Sequence, residues 1–139
     1  MMEDLRYRGR RYELTPPAFF RTLDEEFRFD LDGACVEENK LCAEGSTQER
    51  PVSWASRRVF CNPPWHDIAP FLELAPAAEA AVLLVPSRTN ARWWHRALEL
   101  GAEVRYFRGR LRFVGATTSS PQDCCLLVFG RGQVGPKGH

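Results

Sequence analysis

Apolar residues recur along this chain in two rhythms, and the rhythms alternate. Phe19, Phe20, Leu23 and Phe27 follow Thr15-Pro16-Pro17 at helical spacing, which predicts a helix with one apolar face. Thr15 is its expected N-cap and Pro16 its first residue. Phe29-Asp30-Leu31-Asp32-Gly33-Ala34 then alternates apolar and acidic positions and reads as a short strand ending in small residues. Residues 36–53 are polar and poorly periodic, with a turn at Gly45-Ser46-Thr47. Trp54 is expected to cover the sheet edge.

A second strand, Arg58 to Cys61, runs directly into Asn62-Pro63-Pro64-Trp65. Ile68, Phe71, Leu72 and Leu74 suggest a helix with Pro70 in its first turn, interrupted at Pro76. Ala80–Pro86 is an unbroken apolar run, the pattern of a strand buried on both faces. Trp93, Trp94, Ala97, Leu98 and Leu100 give the next helix, closed by Gly101. Strands are predicted over Ala102–Phe107, Arg110–Val114 and Cys124–Phe129, followed by a tail over 131–139. Alternating strands and helices predict an α/β fold: a mostly parallel sheet with helices on both faces.

Length and composition narrow this to one domain. The chain has 139 residues, 44% hydrophobic and 27% charged, enough for one core and too apolar for general disorder. No apolar run approaches the ~18 residues of a membrane span, and the charged N-terminus lacks a signal-peptide core. A soluble, cytoplasmic protein is expected. Five cysteines with no CxxC spacing read as reduced, and no metal site is expected. Net charge is only +1, but its distribution is uneven. The stretch from Arg88 to Arg112 holds seven arginines and two glutamates. Residues 1–11 are expected to be a flexible basic arm, with Arg6, Arg8, Arg10 and Arg11 around Tyr7. Clusters of this kind can follow phosphates, and Arg88, Arg108, Arg110 and Arg112 are the candidate phosphate contacts to a nucleic acid.

The candidate chemistry lies at the strand ends. Two consecutive prolines fix two φ angles and remove two backbone donors, so the turn after Cys61 is stiff. The Asn62 amide and the Pro63 carbonyl can then accept the two N–H bonds of a planar amine, while Trp65 offers a face for its ring. Asp32, Asn62 and Arg88 all fall at or just beyond expected strand ends, where α/β sheets hold ligands.

The chain resembles the small phage-type DNA N-6-adenine methyltransferases over residues 14–130. The resemblance rests on Leu14-Thr15-Pro16, on Phe29 to Ala34, on Phe60 to Trp65, on Leu84 to Thr89 with Trp93-Trp94-His95, and on Gly109 to Phe113, in that order. It implies a minimal Rossmann-like methyltransferase fold, S-adenosylmethionine as cofactor, and DNA as partner in a bacterial or phage-infected cell. Asn62, Pro63, Pro64 and Trp65 would hold a flipped adenine. Thr15, Pro16, Asp32 (or Asp30) and Asn62 would line the cofactor, with Gly33 and Ala34 allowing its approach. The chain departs from larger relatives in two respects. No Gly-x-Gly follows Asp32, and only one short strand fits between Asp32 and Val59. RNA adenine or protein glutamine as the acceptor, or a DNA-binding module that has lost turnover, remain open at this level.

Overall fold

The structure is a computed structural model that describes residues 15–108 and 123–130, with the backbone of 6–7 and 10–11. The expected strand Arg110–Val114, the candidate contacts Arg110 and Arg112, and the tail over 131–139 lie outside the described residues. Within the basic arm, Arg6–Tyr7 (β1) pairs antiparallel with Arg10–Arg11 (β2).

Helix α1 (Pro17–Phe27) forms where the phenylalanine spacing predicts it, but its start differs in detail. Pro16, not Thr15, is the N-cap residue, and Pro17 takes the first turn, where a missing N–H costs nothing. Thr15 is left free of capping, and its hydroxyl serves another purpose described below. The helix stops at Arg28, which adopts φ 57° and donates its N–H to the Asp24 carbonyl.

The main sheet has the order β3-β4-β5-β7-β6, where β3 is Leu31–Asp32, β4 is Arg58–Cys61, β5 is Ala80–Pro86, β6 is Glu103–Arg105 and β7 is Cys124–Gly130. Four of the five strands run the same way, as expected of a mostly parallel sheet, and β7 alone is reversed. β3, β4 and β5 are parallel neighbours, but β7 lies antiparallel between β5 and β6. The reason is where β7 begins. Cys124 pairs with Pro86 at the carboxyl end of β5, so the chain re-enters the sheet at that rim and must run back. An antiparallel return needs no helical crossover.

Strand β3 is also shorter than the expected Phe29–Ala34. Phe29 packs against Phe20, Phe27 and Phe60, and only Leu31 and Asp32 pair with β4. On its other side Asp32 forms an isolated parallel bridge with Gly45. That bridge is the one short strand for which the sequence between Asp32 and Val59 has room.

Strict alternation along the strands builds a core on each face. Phe60, Val82, Leu84, Leu126 and Val128 meet Phe20, Leu23 and Phe27 of α1. Val59, Cys61, Leu83, Val85 and Leu127 face the other way. They meet Phe71 and Leu72 of α2 (Ala69–Leu72) and Trp94 and Ala97 of α3 (Arg92–Glu99). Burying one such side chain contributes ~1.5–3 kcal/mol, so the two layers fix the sheet on both sides. Trp54 is not an edge cover. It is only 2% exposed and lies under the sheet against Phe71. A Cβ on Gly33 would come within 2.5 Å of the Trp54 ring and 2.8 Å of Val59. The small residue after β3 therefore admits the indole.

Candidate functional site

The chain passes from β3 to Gly45 on one side and then to β4 on the other. The direction of strand succession thus reverses between β3 and β4, and the carboxyl ends of such a pair flank the crevice where α/β sheets bind ligands. Asp32 ends β3, and Asn62 follows β4 directly.

The turn after β4 is built into the body of the protein. Asn62, Pro63 and Pro64 are buried and Trp65 is half-buried. Asn62 donates from Nδ2 to Thr15 Oγ1 at 3.0 Å. The residue before α1 is thereby tied to the end of β4, with both partners in the interior (Thr15 6% and Asn62 4% exposed). The Pro64 carbonyl accepts from the Asp67 N–H at 2.9 Å, closing the turn. Among the described residues, no donor meets the Pro63 carbonyl. The Trp65 indole N–H reaches the Leu84 carbonyl at 3.4 Å, beyond Leu83, the last β5 residue paired with β4. Trp65 touches both core layers.

Asp32 is 3% exposed. Its two carboxylate oxygens accept the backbone N–H groups of Ala34 (3.3 Å) and Leu41 (3.0 Å). In place of a Gly-x-Gly turn, one buried carboxylate thus shapes the loop over 33–41. Burial pushes this carboxyl up to about 7, against the pull of those two N–H groups. Cys35 and Cys42 are pushed up to about 12, first by burial and then by the charge of Asp32, and so remain thiols. All five cysteines are free.

The remaining sequence-predicted residues divide between the two rims of the sheet. Arg88 is exposed two residues past β5, and Arg108 is exposed three residues past β6. Strand β6 runs with β5, since both are antiparallel to β7, so both arginines share the rim of Asn62. The entry to α1 lies there as well, with Phe19 packed on Phe107 at 5.0 Å between ring centres. Pro16 is half-buried at that entry. Asp30 is at the opposite, amino rim. It accepts from Arg57 Nε and from the Arg58 N–H, while Arg57 also pairs with Glu44 and Arg58 with Glu79. The structure does not bring Asp30 to Asn62. What the sequence hid is the bond between Thr15 and Asn62, since two residues so far apart carry no local signal of their pairing.

The Asn-Pro-Pro-aromatic turn thus ends a strand beside the switch point of an α/β sheet. The family model for DNA N-6-adenine-methyltransferase (Dam) matches residues 8–137, and the chain belongs to that family: it is an adenine-specific DNA methyltransferase. A comparison with curated proteins finds no match. Among the described residues there is no cluster of three or more metal-ligating side chains, and no helix is long and apolar enough to cross a membrane.

Proposed function

We propose that the chain is one Rossmann-like methyltransferase unit that transfers methyl from S-adenosylmethionine to N6 of an adenine held outside the DNA stack. The observation that carries this is the Asn62–Trp65 turn, rigid, buried and tied to Thr15 beside the β3–β4 switch point. Three parallel strands with helices on both faces support the Rossmann-like reading.

Two features fit the cofactor. Asp32 offers an acidic carboxylate at the end of β3, suited to a cationic amino group either directly or through the loop that it shapes. The Trp54 indole N–H, beside Gly33, is buried without a hydrogen-bond partner among the described residues, a donor that a ligand at this crevice could use. Thr15, Pro16, Asp32 and Asn62 would line the group, which supplies an electrophilic methyl on a sulfonium.

The chain's own residues do the rest by positioning. The Asn62 amide oxygen and the Pro63 carbonyl accept the two hydrogens of the adenine amine. This draws the nitrogen lone pair out of the ring and makes it nucleophilic. Pro64 holds the turn, and Trp65 supplies a face for the base. A base within a duplex cannot reach such a turn, so it must be flipped or already single-stranded. Arg88 and Arg108 neutralise phosphates on the same side, and Arg110 and Arg112 are further candidates for phosphate contact.

The test is to incubate the protein with labelled S-adenosylmethionine and DNA, RNA and protein in parallel, then digest each. Label in N6-methyladenine from DNA alone is expected. DNA binding with no label transfer and no saturable uptake of S-adenosylhomocysteine would identify a binding module instead.

A further inference from the structure

We propose that the basic arm acts as a two-stranded ribbon that lies in the major groove of duplex DNA beside the target adenine. Its place beside the target rests on the reading of the Asn62–Trp65 turn as the seat of the flipped base. Within the arm, Arg6–Tyr7 pairs antiparallel with Arg10–Arg11, Arg6 opposite Arg11 and Tyr7 opposite Arg10. Only Arg8 and Gly9 separate the two strands in the sequence, the shortest common hairpin spacing. The run from Arg6 to Arg11 holds four arginines and no acid.

A ribbon of this composition does not hold itself together. Two strands alone are marginal in water, and residues directly opposite each other share a face. One face sets Arg against Arg, and like charges so placed oppose the pairing. The other sets Tyr against Arg. Neither is an apolar stripe, and β1 and β2 form a sheet separate from the main one. A polyanion changes the sign of the effect, because phosphates on either side neutralise the opposed arginines and favour the paired form. Charge complementarity thus selects DNA, the substrate of the family. Its major groove, ~12 Å wide and walled by phosphates, admits two strands ~4.8 Å apart.

The tether puts the ribbon near the site. Four residue steps join Arg11 to Thr15, at most ~14 Å of extended chain, and Thr15 is bonded to Asn62. The ribbon is therefore anchored at the rim that carries exposed Arg88 and Arg108. It adds a contact that a single strand, having no groove, cannot make.

The test measures binding of the whole chain to a random-sequence DNA duplex and to one strand of it alone. Arg6→Gln/Arg11→Gln should lower the slope of log affinity against log salt on the duplex by ~0.9 for each arginine replaced, and leave single-strand binding unchanged. Tyr7→Pro keeps all four arginines but takes a donor out of the ribbon, and should lose duplex affinity to a similar extent. Tyr7→Thr keeps strand propensity and should bind as the wild type does. Methyl green, which occupies the major groove, should be displaced by the wild type and by Tyr7→Thr alone, while netropsin in the minor groove stays bound throughout. Wild-type duplex binding by Tyr7→Pro overturns the ribbon in favour of an arm that acts by charge alone. Equal losses on duplex and single strand overturn the groove, as does displacement of netropsin in place of methyl green. All these readouts are of binding, so a chain that transfers no methyl counts against the catalytic reading of Asn62–Trp65 and leaves the ribbon to be decided by them.

Discussion

Trp65 hangs its indole N–H on the backbone carbonyl of Leu84, 3.4 Å away, in the carboxyl half of the most buried strand of the sheet. The half-buried ring thus packs against the core while part of its surface stays open. The two duties can be separated. Trp65→Phe loses the hydrogen bond, worth ~0.5–1.5 kcal/mol of stability, but retains an aromatic face. Trp65→Ala loses the face too, which should weaken DNA binding by a further ~1–3 kcal/mol. Thermal midpoints alongside binding titrations check this. If Trp65→Phe binds and turns over no better than Trp65→Ala at matched stability, Trp65 acts through packing alone.

Asn62→Ala leaves the strand register untouched, because Asn62 follows β4 rather than pairing within it. Turnover should nevertheless fall by ~10²-fold or more, the cost of deleting one hydrogen bond aimed at the reacting group. Single-turnover methylation by the folded variant is the measurement. A rate equal to the wild type's would move the acceptor role to another group.

The acid at the end of β3 makes stability depend on pH. The Asp32 carboxyl rises from 3.8 to about 7 in the folded chain because burial disfavours its charge. Between pH 4 and 7 the folded state therefore binds more protons than the unfolded one, and stability falls as pH rises through this window. At ~1.4 kcal/mol per pKa unit, the loss is on the order of a few kcal/mol. Asp32→Asn cannot ionise, so the difference in denaturant midpoint between pH 4.5 and pH 8 should shrink. Its amide faces two backbone N–H groups and lowers stability at every pH, so the slope is the quantity to compare. Equal slopes in the two proteins would place the titration elsewhere.

These predictions mark how much of the site was legible in the sequence. The unbroken apolar run of Ala80–Pro86 and the phenylalanine spacing of α1 read directly as a strand buried on both faces and a helix laid on it, because burial dictates both patterns. The Asn62–Trp65 turn was legible because consecutive prolines permit few backbone conformations. The direction of β7 was not, since an apolar strand looks the same whichever way it runs. The strand pattern favoured Asp32 as the acid at the strand end but left Asp30 as an alternative. The sheet register separates them, setting Asp30 beside Arg57 and Arg58 at the amino rim and Asp32 between Phe60 and Gly45. Thr15 satisfied every local rule for an N-cap, and a tertiary partner claimed its hydroxyl instead.

Arg88 and Arg108 are exposed past β5 and β6 on the side of Asn62. Arg57, Arg58 and Arg96 are instead engaged by Glu44, Glu79 and Glu73. Only a cation that neutralises a phosphate releases a counterion, so contact residues and structural ones differ in salt dependence. Arg88→Ala or Arg108→Ala should lower the slope of log affinity against log salt by ~0.9 on duplex DNA, whatever its sequence. Arg96→Ala should leave that slope alone, because its guanidinium already spans Glu73 and Glu99. Titrating the three variants side by side from low to moderate salt decides the matter. If Arg96→Ala changes the slope while Arg88→Ala and Arg108→Ala do not, DNA follows the α2–α3 face instead of the carboxyl rim, and the approach proposed for the flipped adenine is wrong.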